Sequence, residues 1–234
     1  MKAIVIGASS GIGKELVKIL AKEGYEVGLV ARREDLLISL AKQIHGKTYV
    51  RKVDIALPDA IEKIETLIKE MQGVDLAIIN AGIGFLNPEM DWKKDKATLD
   101  VNVIGFAAMT NVFMRYFLSQ GKGHLVGISS IAALRGGGIY SASKAFVSNY
   151  LEGLRHSVVK GGKNIIITNI EPGFVDTAMA KGERLFWVAP VEKAAAAIFK
   201  AIKKKKNHVY VTRKWCLIAW LLKFMPNCIY DRFF

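Results

Sequence analysis

Near its N-terminus the chain carries Gly7-Ala8-Ser9-Ser10-Gly11-Ile12-Gly13 between a short apolar run, Ala3 to Ile6, and an amphipathic stretch, Ile12 to Glu23. Few local patterns constrain a fold more. A buried strand followed at once by a helix must return over the sheet, so the next strand lies parallel to the first. Glycine permits the tight turn and lets a ligand approach the backbone. Free N–H groups at the helix start, backed by the helix dipole, suit a pyrophosphate. A strand before and a helix after make this turn more informative than glycines alone.

The same alternation continues along the chain. Glu26 to Val30, Thr48 to Val53, Leu76 to Ile79, Leu125 to Ile128 and Ile165 to Ile170 read as buried parallel strands, and His208 to Val211 as a later one. Helical patterns lie between them, including Asp35 to Ile44, and Asp59 to Met71 after Pro58. The fold class expected is α/β: a Rossmann-type, doubly wound parallel sheet with helices on both faces, plus a C-terminal apolar and basic helix. Residues 1–212 are expected to form the nucleotide-binding domain, and residues 213–234 an extension packed on that domain or on a membrane. At 234 residues the chain is long enough for one sizeable core.

The second strand runs into Leu29-Val30-Ala31-Arg32-Arg33. An acidic residue there would bind the ribose 2′-hydroxyl of NAD(H); a guanidinium can instead grip a 2′-phosphate through charge-assisted hydrogen bonds. NADP(H) is the preferred cofactor and NAD(H) the alternative, and Arg32→Ala is expected to cost on the order of 1.5–3 kcal/mol of NADPH affinity. The two arginines could also simply cap an exposed strand end.

Tyr140-Ser141-Ala142-Ser143-Lys144 opens a helical stretch reaching about Lys160. A four-residue spacing puts phenol and ammonium on one helix face. Free tyrosine, with a pKa of about 10, is a poor base near neutrality. A nearby cation can lower that value by roughly one to three.

Taken together the chain resembles the short-chain dehydrogenase/reductase family. The matching residues, in the family's order over residues 1–212, are the glycine turn, Asp54, Asn80-Ala81-Gly82, Asn102, Ser129-Ser130, Tyr140 with Lys144, and Pro172-Gly173. The resemblance implies an oxidoreductase interconverting a carbonyl and an alcohol by hydride transfer. Tyr140 would be the general acid or base, Ser130 would hold the substrate oxygen, and Lys144 would bind the nicotinamide ribose and tune the tyrosine. Asn102 would order a water that relays protons from Lys144. Gly7, Ser9, Ser10, Gly11, Ile12 and Gly13 would seat the pyrophosphate, and Asp54, with Ile55, would lie at the adenine. Asn80, Ala81 and Gly82 would line the cofactor, while Pro172, Gly173, Val175 and Thr177 would embrace the nicotinamide. One departure stands out: Ile131 to Ile139, between Ser130 and Tyr140, is shorter than the family's usual connection and holds three glycines. Either the loop tightens and keeps Ser130 in the site, or Ser129 or a later serine substitutes for it.

Other chemistry finds little support. Four histidines without ligand spacing argue against a metal site. Ser129-Ser130 lacks a nucleophile-elbow pattern. Cys216 and Cys228 are too few for a disulfide framework, so a cytoplasmic location is expected. Phe174, Leu185, Phe186 and Trp187 could line an apolar substrate pocket or pack as core. The net charge of +13 is lopsided: residues 200–234 hold nine Lys or Arg against one Asp. Basic residues around Trp215 to Leu222 suit a helix lying in a membrane interface, contacting it through residues 203–225, although docking on the core or on another subunit competes. No nucleic-acid partner is expected. The family resemblance suggests a homodimer or homotetramer. The competing reading is a non-catalytic NADP(H)-binding sensor or scaffold at a membrane surface.

Overall fold

The computed structural model describes residues 1–177, 187–226 and 230. Seven parallel strands form one sheet in the order β3-β2-β1-β4-β5-β6-β7. They are β1 Lys2–Ile6, β2 Glu26–Ala31, β3 Thr48–Lys52, β4 Leu76–Ile79, β5 Lys122–Ile128, β6 Asn164–Pro172 and β7 His208–Val211. Helices α1 Gly11–Lys22, α2 Glu34–Lys42 and α7 Val191–Lys203 cover one face, where Leu16, Leu20, Leu37, Leu40 and Ile198 pack on Val5, Leu29 and Ile78. On the other face, α3 Ala60–Glu70, α5 Phe106–Gln120 and α6 Gly138–Lys160 bury Ile64, Phe113, Phe117, Val147 and Leu151 against Ile4, Ile79 and Leu125. The expected doubly wound sheet is therefore present. β1 pairs with β2 on one side and β4 on the other, so strand order reverses there. A crevice at the carboxyl ends of the strands opens at such a reversal.

The long helix between β4 and β5 was not apparent from the periodicity. Helix α4, Trp92–Leu99, passes through a π-helical turn, Asp100–Gly105, directly into α5. A run from Trp92 to Gln120 is long and apolar enough to cross a membrane, but over half of its most apolar window is buried inside the fold, as a core helix would be. The extra residue of a π-turn re-aims a side chain, and such turns are frequent at functional sites. Here it carries Asn102, which is 1% exposed.

A third, smaller cluster lies at the carboxyl edge of the sheet. Helix α8, Arg213–Phe224, follows β7 and buries Trp215 and Ala219 against Ile131, with Leu134, Phe174 and Tyr210 around them. Its approach depends on Gly173: a Cβ there would stand 2.1 Å from the Trp215 ring. Phe174 meets the same ring edge-on at 5.2 Å, so it packs rather than lining an open pocket. Trp187 stays 48% exposed, while Leu185 and Phe186 lie outside the described residues. The basic residues of the tail do not form one patch. Lys203 to Lys206 precede β7 and Lys214 follows it, so four residues of strand, about 13 Å, separate them.

Candidate active site

The glycine turn sits where strand order reverses. Gly7 N–H donates to Val30 O at 2.8 Å, and the Asn80 side-chain amide at the end of β4 donates to Gly7 O at 3.0 Å. Gly13 fits beneath the turn because it has no side chain; a Cβ would stand 2.1 Å from Gly7 O. Ser10, at the start of α1, makes no side-chain cap and the first turn holds no acid, so the leading N–H groups remain available to an anion. Thr177 lies over the turn from the opposite side, its methyl 3.2 Å from where a Gly11 Cβ would be.

The two arginines after β2 diverge. Arg33 donates to Ser9 Oγ at 2.9 Å and to Ser10 Oγ at 2.7 Å, folding back over the glycine turn. Arg32 instead lies 3.8 Å from Asp54 Oδ2, and Asp54 also accepts from Ala56 N–H. The sequence reading puts the expected loss of NADPH affinity on Arg32, whereas the fold turns Arg33 toward the serines.

Tyr140 projects from the first turn of α6, and Lys144 follows one turn later. Tyr140 lies against Gly84, where a Cβ would come within 2.8 Å of the ring. The side chain keeps some exposed surface, yet burial of the phenol raises its pKa, partly offset by a hydrogen bond with Ser130. The expected lowering of this phenol by Lys144 is not what the arrangement produces. Lys144 Nζ is 5.8 Å from the centre of the Tyr140 ring and donates to Ile128 O at 3.0 Å. Burial pushes the Lys144 ammonium down to about 8.

That shift predicts a pH-dependent stability. Below about pH 8 the folded protein carries the full cost of a buried ammonium. Between pH 8 and 10.5 the unfolded chain binds more protons at this site, so stability rises with pH. Relative to Lys144→Met, the wild type should gain on the order of 2–3 kcal/mol between pH 7 and pH 10. Urea unfolding of both proteins at the two pH values measures it, and a constant difference would contradict it.

Asn102 is a brace. Its carbonyl oxygen accepts from Ile83 N–H at 2.8 Å, and its amide donates to Ile83 O at 2.8 Å and Ser143 Oγ at 3.0 Å. Ser143 in turn donates to Tyr140 O at 2.7 Å. The π-turn thus ties the loop after β4 to the first turn of α6.

The two serines after β5 have separate environments. Ser129 is 3% exposed, donates to Lys144 O at 2.8 Å and has Ser148 Oγ 2.8 Å away. Ser130 accepts from Ala132 N–H at 3.2 Å and interacts with Tyr140. The shortened connection folds as a single 3-10 turn, Ile131–Leu134, which keeps Ser130 beside Tyr140. Beneath them lies a polar chain that sequence reading missed. Ser148 and Asn169 donate to Glu171 Oε1 at 2.7 and 3.0 Å, and His208 Nε2 lies 3.2 Å from Glu171 Oε2. Burial alone would raise the Glu171 carboxyl, but hydrogen bonds from His208, Ser148 and Asn169, with the His208 charge, bring it below its ordinary value. No local motif marks Glu171, because its partners come from three separate elements.

Among the described residues, no group of three or more metal-ligating side chains gathers. The residues present do fit a dinucleotide. A backbone cradle closed by Gly13, free N–H groups at the start of α1 and a guanidinium over Ser9 and Ser10 match its anionic half.

Fold and site together fit a nicotinamide-dependent oxidoreductase. The short chain dehydrogenase family profile matches residues 1–186. An uncharacterized oxidoreductase of Myxococcus xanthus is 32% identical over 240 residues, covering 98% of this chain and 94% of that protein. Among solved structures, a short chain dehydrogenase/reductase from Burkholderia phymatum in complex with NAD has a TM-score of 0.84 at 22% identity, covering 94% of this chain and 92% of that one. The closed form of a serine dehydrogenase complexed with NADP+ has a TM-score of 0.82 at 24% identity, covering 90% and 94%. The chain belongs to the short-chain dehydrogenase/reductase family and is an NAD(P)-dependent enzyme of it.

Proposed function

We propose that the protein is an NADPH-dependent carbonyl reductase in which Tyr140 donates the proton and Ser130 holds the substrate oxygen. The observation that carries this reading is the convergence of the Tyr140 phenol, the Ser130 hydroxyl and the buried Lys144 ammonium at the carboxyl edge of the sheet. The nicotinamide ring, when bound, supplies the hydride to the carbonyl carbon. Oxygen then takes the Tyr140 proton, and the C=O bond becomes CH–OH. Burial keeps the phenol protonated, the form that gives its proton in reduction. The Asn102 brace would hold the tyrosine turn, and the Lys144 ammonium would return a proton to Tyr140 through a water that Asn102 orders. Assay of NADPH oxidation over aldehydes, ketones and quinones tests the activity.

The cofactor preference rests on Arg33. Its guanidinium, held beside the Ser9 and Ser10 hydroxyls, brings a cationic donor and two hydroxyl donors together for a 2′-phosphate. Arg33→Ala should weaken NADPH binding by roughly 10–100-fold, the scale of a hydrogen bond to a charged group, and leave NADH binding unchanged. Arg32→Ala should cost less, because Arg32 pairs with Asp54. Calorimetric titration of both variants with each cofactor decides the matter, and equal losses for NADPH and NADH would refute the assignment.

Helices α5 and α6 carry a largely apolar groove lined by Met114, Leu118, Tyr150 and Leu154, away from the active site. This groove is the surface we assign to a homodimer or homotetramer.

A further inference from the structure

Helix α8 has two apolar faces, and only one is used by the fold. Trp215 and Ala219 are 2% and 0% exposed and join the cluster around Ile131. Leu217, Trp220 and Phe224 are 72%, 66% and 69% exposed, with Leu221 beside them. At about 100° per residue, Leu217, Trp220 and Phe224 fall within roughly 60° of one another, opposite the docked face. The Trp220 and Phe224 rings lie 5.3 Å apart, which makes the patch continuous. Lys214 and Lys223, both exposed, flank this stripe on its two sides, and the helix holds no acidic residue.

The same helix is fastened to the active site. Arg135, in the connection between Ser130 and Tyr140, donates from Nε to Leu222 O at 2.7 Å and from its terminal nitrogen to Met225 O. Its guanidinium also lies over the Tyr230 ring at 5.3 Å, and the Tyr230 hydroxyl donates to Gly136 O. Pro172 and Val211 are register partners, so α8 starts at the sheet edge that bears Pro172 and Gly173. Helix α8 therefore stands at the carboxyl edge of the sheet, where the candidate site lies, with its outer face exposed.

We propose that the outer face of α8 seats the enzyme on an anionic lipid bilayer, with the mouth of the active site turned toward the membrane. An exposed Trp-Phe-Leu stripe rimmed by lysines matches the chemistry of that interface: rings and leucines enter the headgroup boundary while ammonium groups meet lipid phosphates. A second copy of the chain is a poorer occupant. Two-fold pairing through this face would bring Lys214 and Lys223 of both helices together without a carboxylate on either. Lys203 to Lys206, beyond the other end of β7, play no part in the contact. In this orientation a carbonyl compound dissolved in the bilayer reaches the site directly. That consequence rests on the reductase reading, whereas the seating itself does not.

The test uses the full chain, since α8 is part of a packed cluster and its removal would expose the cluster's core. Co-sedimentation is measured with vesicles of phosphatidylcholine and phosphatidylglycerol in equal amounts, and with phosphatidylcholine alone. The wild type should bind the mixed vesicles and lose most binding to the neutral ones. The double variant Trp220→Ser and Phe224→Ser should bind on the order of 10–100-fold more weakly, with its far-UV circular dichroism, urea midpoint and NADPH affinity kept. Lys214→Glu with Lys223→Glu should abolish the preference for the anionic vesicles. Failure of the wild type to bind, equal binding by the Trp220/Phe224 variant, or a wild-type oligomer that this variant splits into monomers would each overturn the proposal. None of these readouts involves turnover, so a failure here is separable from a failure of the reductase assignment.

Discussion

Replacing Tyr140 with phenylalanine is expected to lower NADPH-dependent carbonyl reduction by about 10²–10⁴-fold while leaving NADPH affinity within a factor of about two. The variant keeps the ring that packs against Gly84 and removes only the hydroxyl that hydrogen-bonds with Ser130. Burial holds that hydroxyl in its protonated form, and in the proposed reaction it is the acid that protonates the substrate oxygen. Losing it forces the alkoxide to take a proton from water. Steady-state turnover with the best substrate of the panel, beside a direct cofactor titration, measures both quantities. Turnover indifferent to the substitution would mean that another group supplies the proton.

Gly13→Ala should be the most damaging single-methyl change for the cofactor. The added Cβ would meet Gly7 O at 2.1 Å and the Asn80 side-chain amide at 2.7 Å. Gly7, tied through its N–H to Val30 O, cannot move its backbone oxygen aside as a flexible side chain would. The turn must open or α1 must shift along the sheet, and either moves the N–H groups that would face the pyrophosphate. Affinity for NADPH and NADH should fall together, by at least about 100-fold, because the pyrophosphate is common to both. Unfolding should also become easier by roughly 1–3 kcal/mol, the scale of overpacking. A variant that binds either cofactor normally would show that the turn is not the seat.

The parallel sheet was legible because each strand is a short apolar run bounded by an amphipathic stretch, and burial on both faces leaves that signature. Observed limits of the expected strands differ by only a few residues, as at β6, which extends to Pro172. The helix from Trp92 to Gln120 escaped notice because its π-turn interrupts the 3.6-residue repeat and its buried flank faces several elements at once. Spacing along one helix likewise revealed Tyr140 and Lys144 as neighbours, since helical geometry fixes what four residues apart means. Which serine stands beside them was not local information. It depends on Ser129 being engaged by Ser148 and the Lys144 carbonyl, while Ser130 opens a 3-10 turn.

By itself the sequence determined the layering of strands and helices, the nucleotide turn, and the family, because those follow from near-neighbour patterns of burial and glycine. Only the tertiary structure decided the rest. Arg33 rather than Arg32 lies over the serines, Glu171 is held by three elements, and α8 docks by one face through Gly173 and Arg135 while keeping another exposed. Each of these joins residues distant along the chain, and a contact made across a sheet edge leaves no period for a sequence to display.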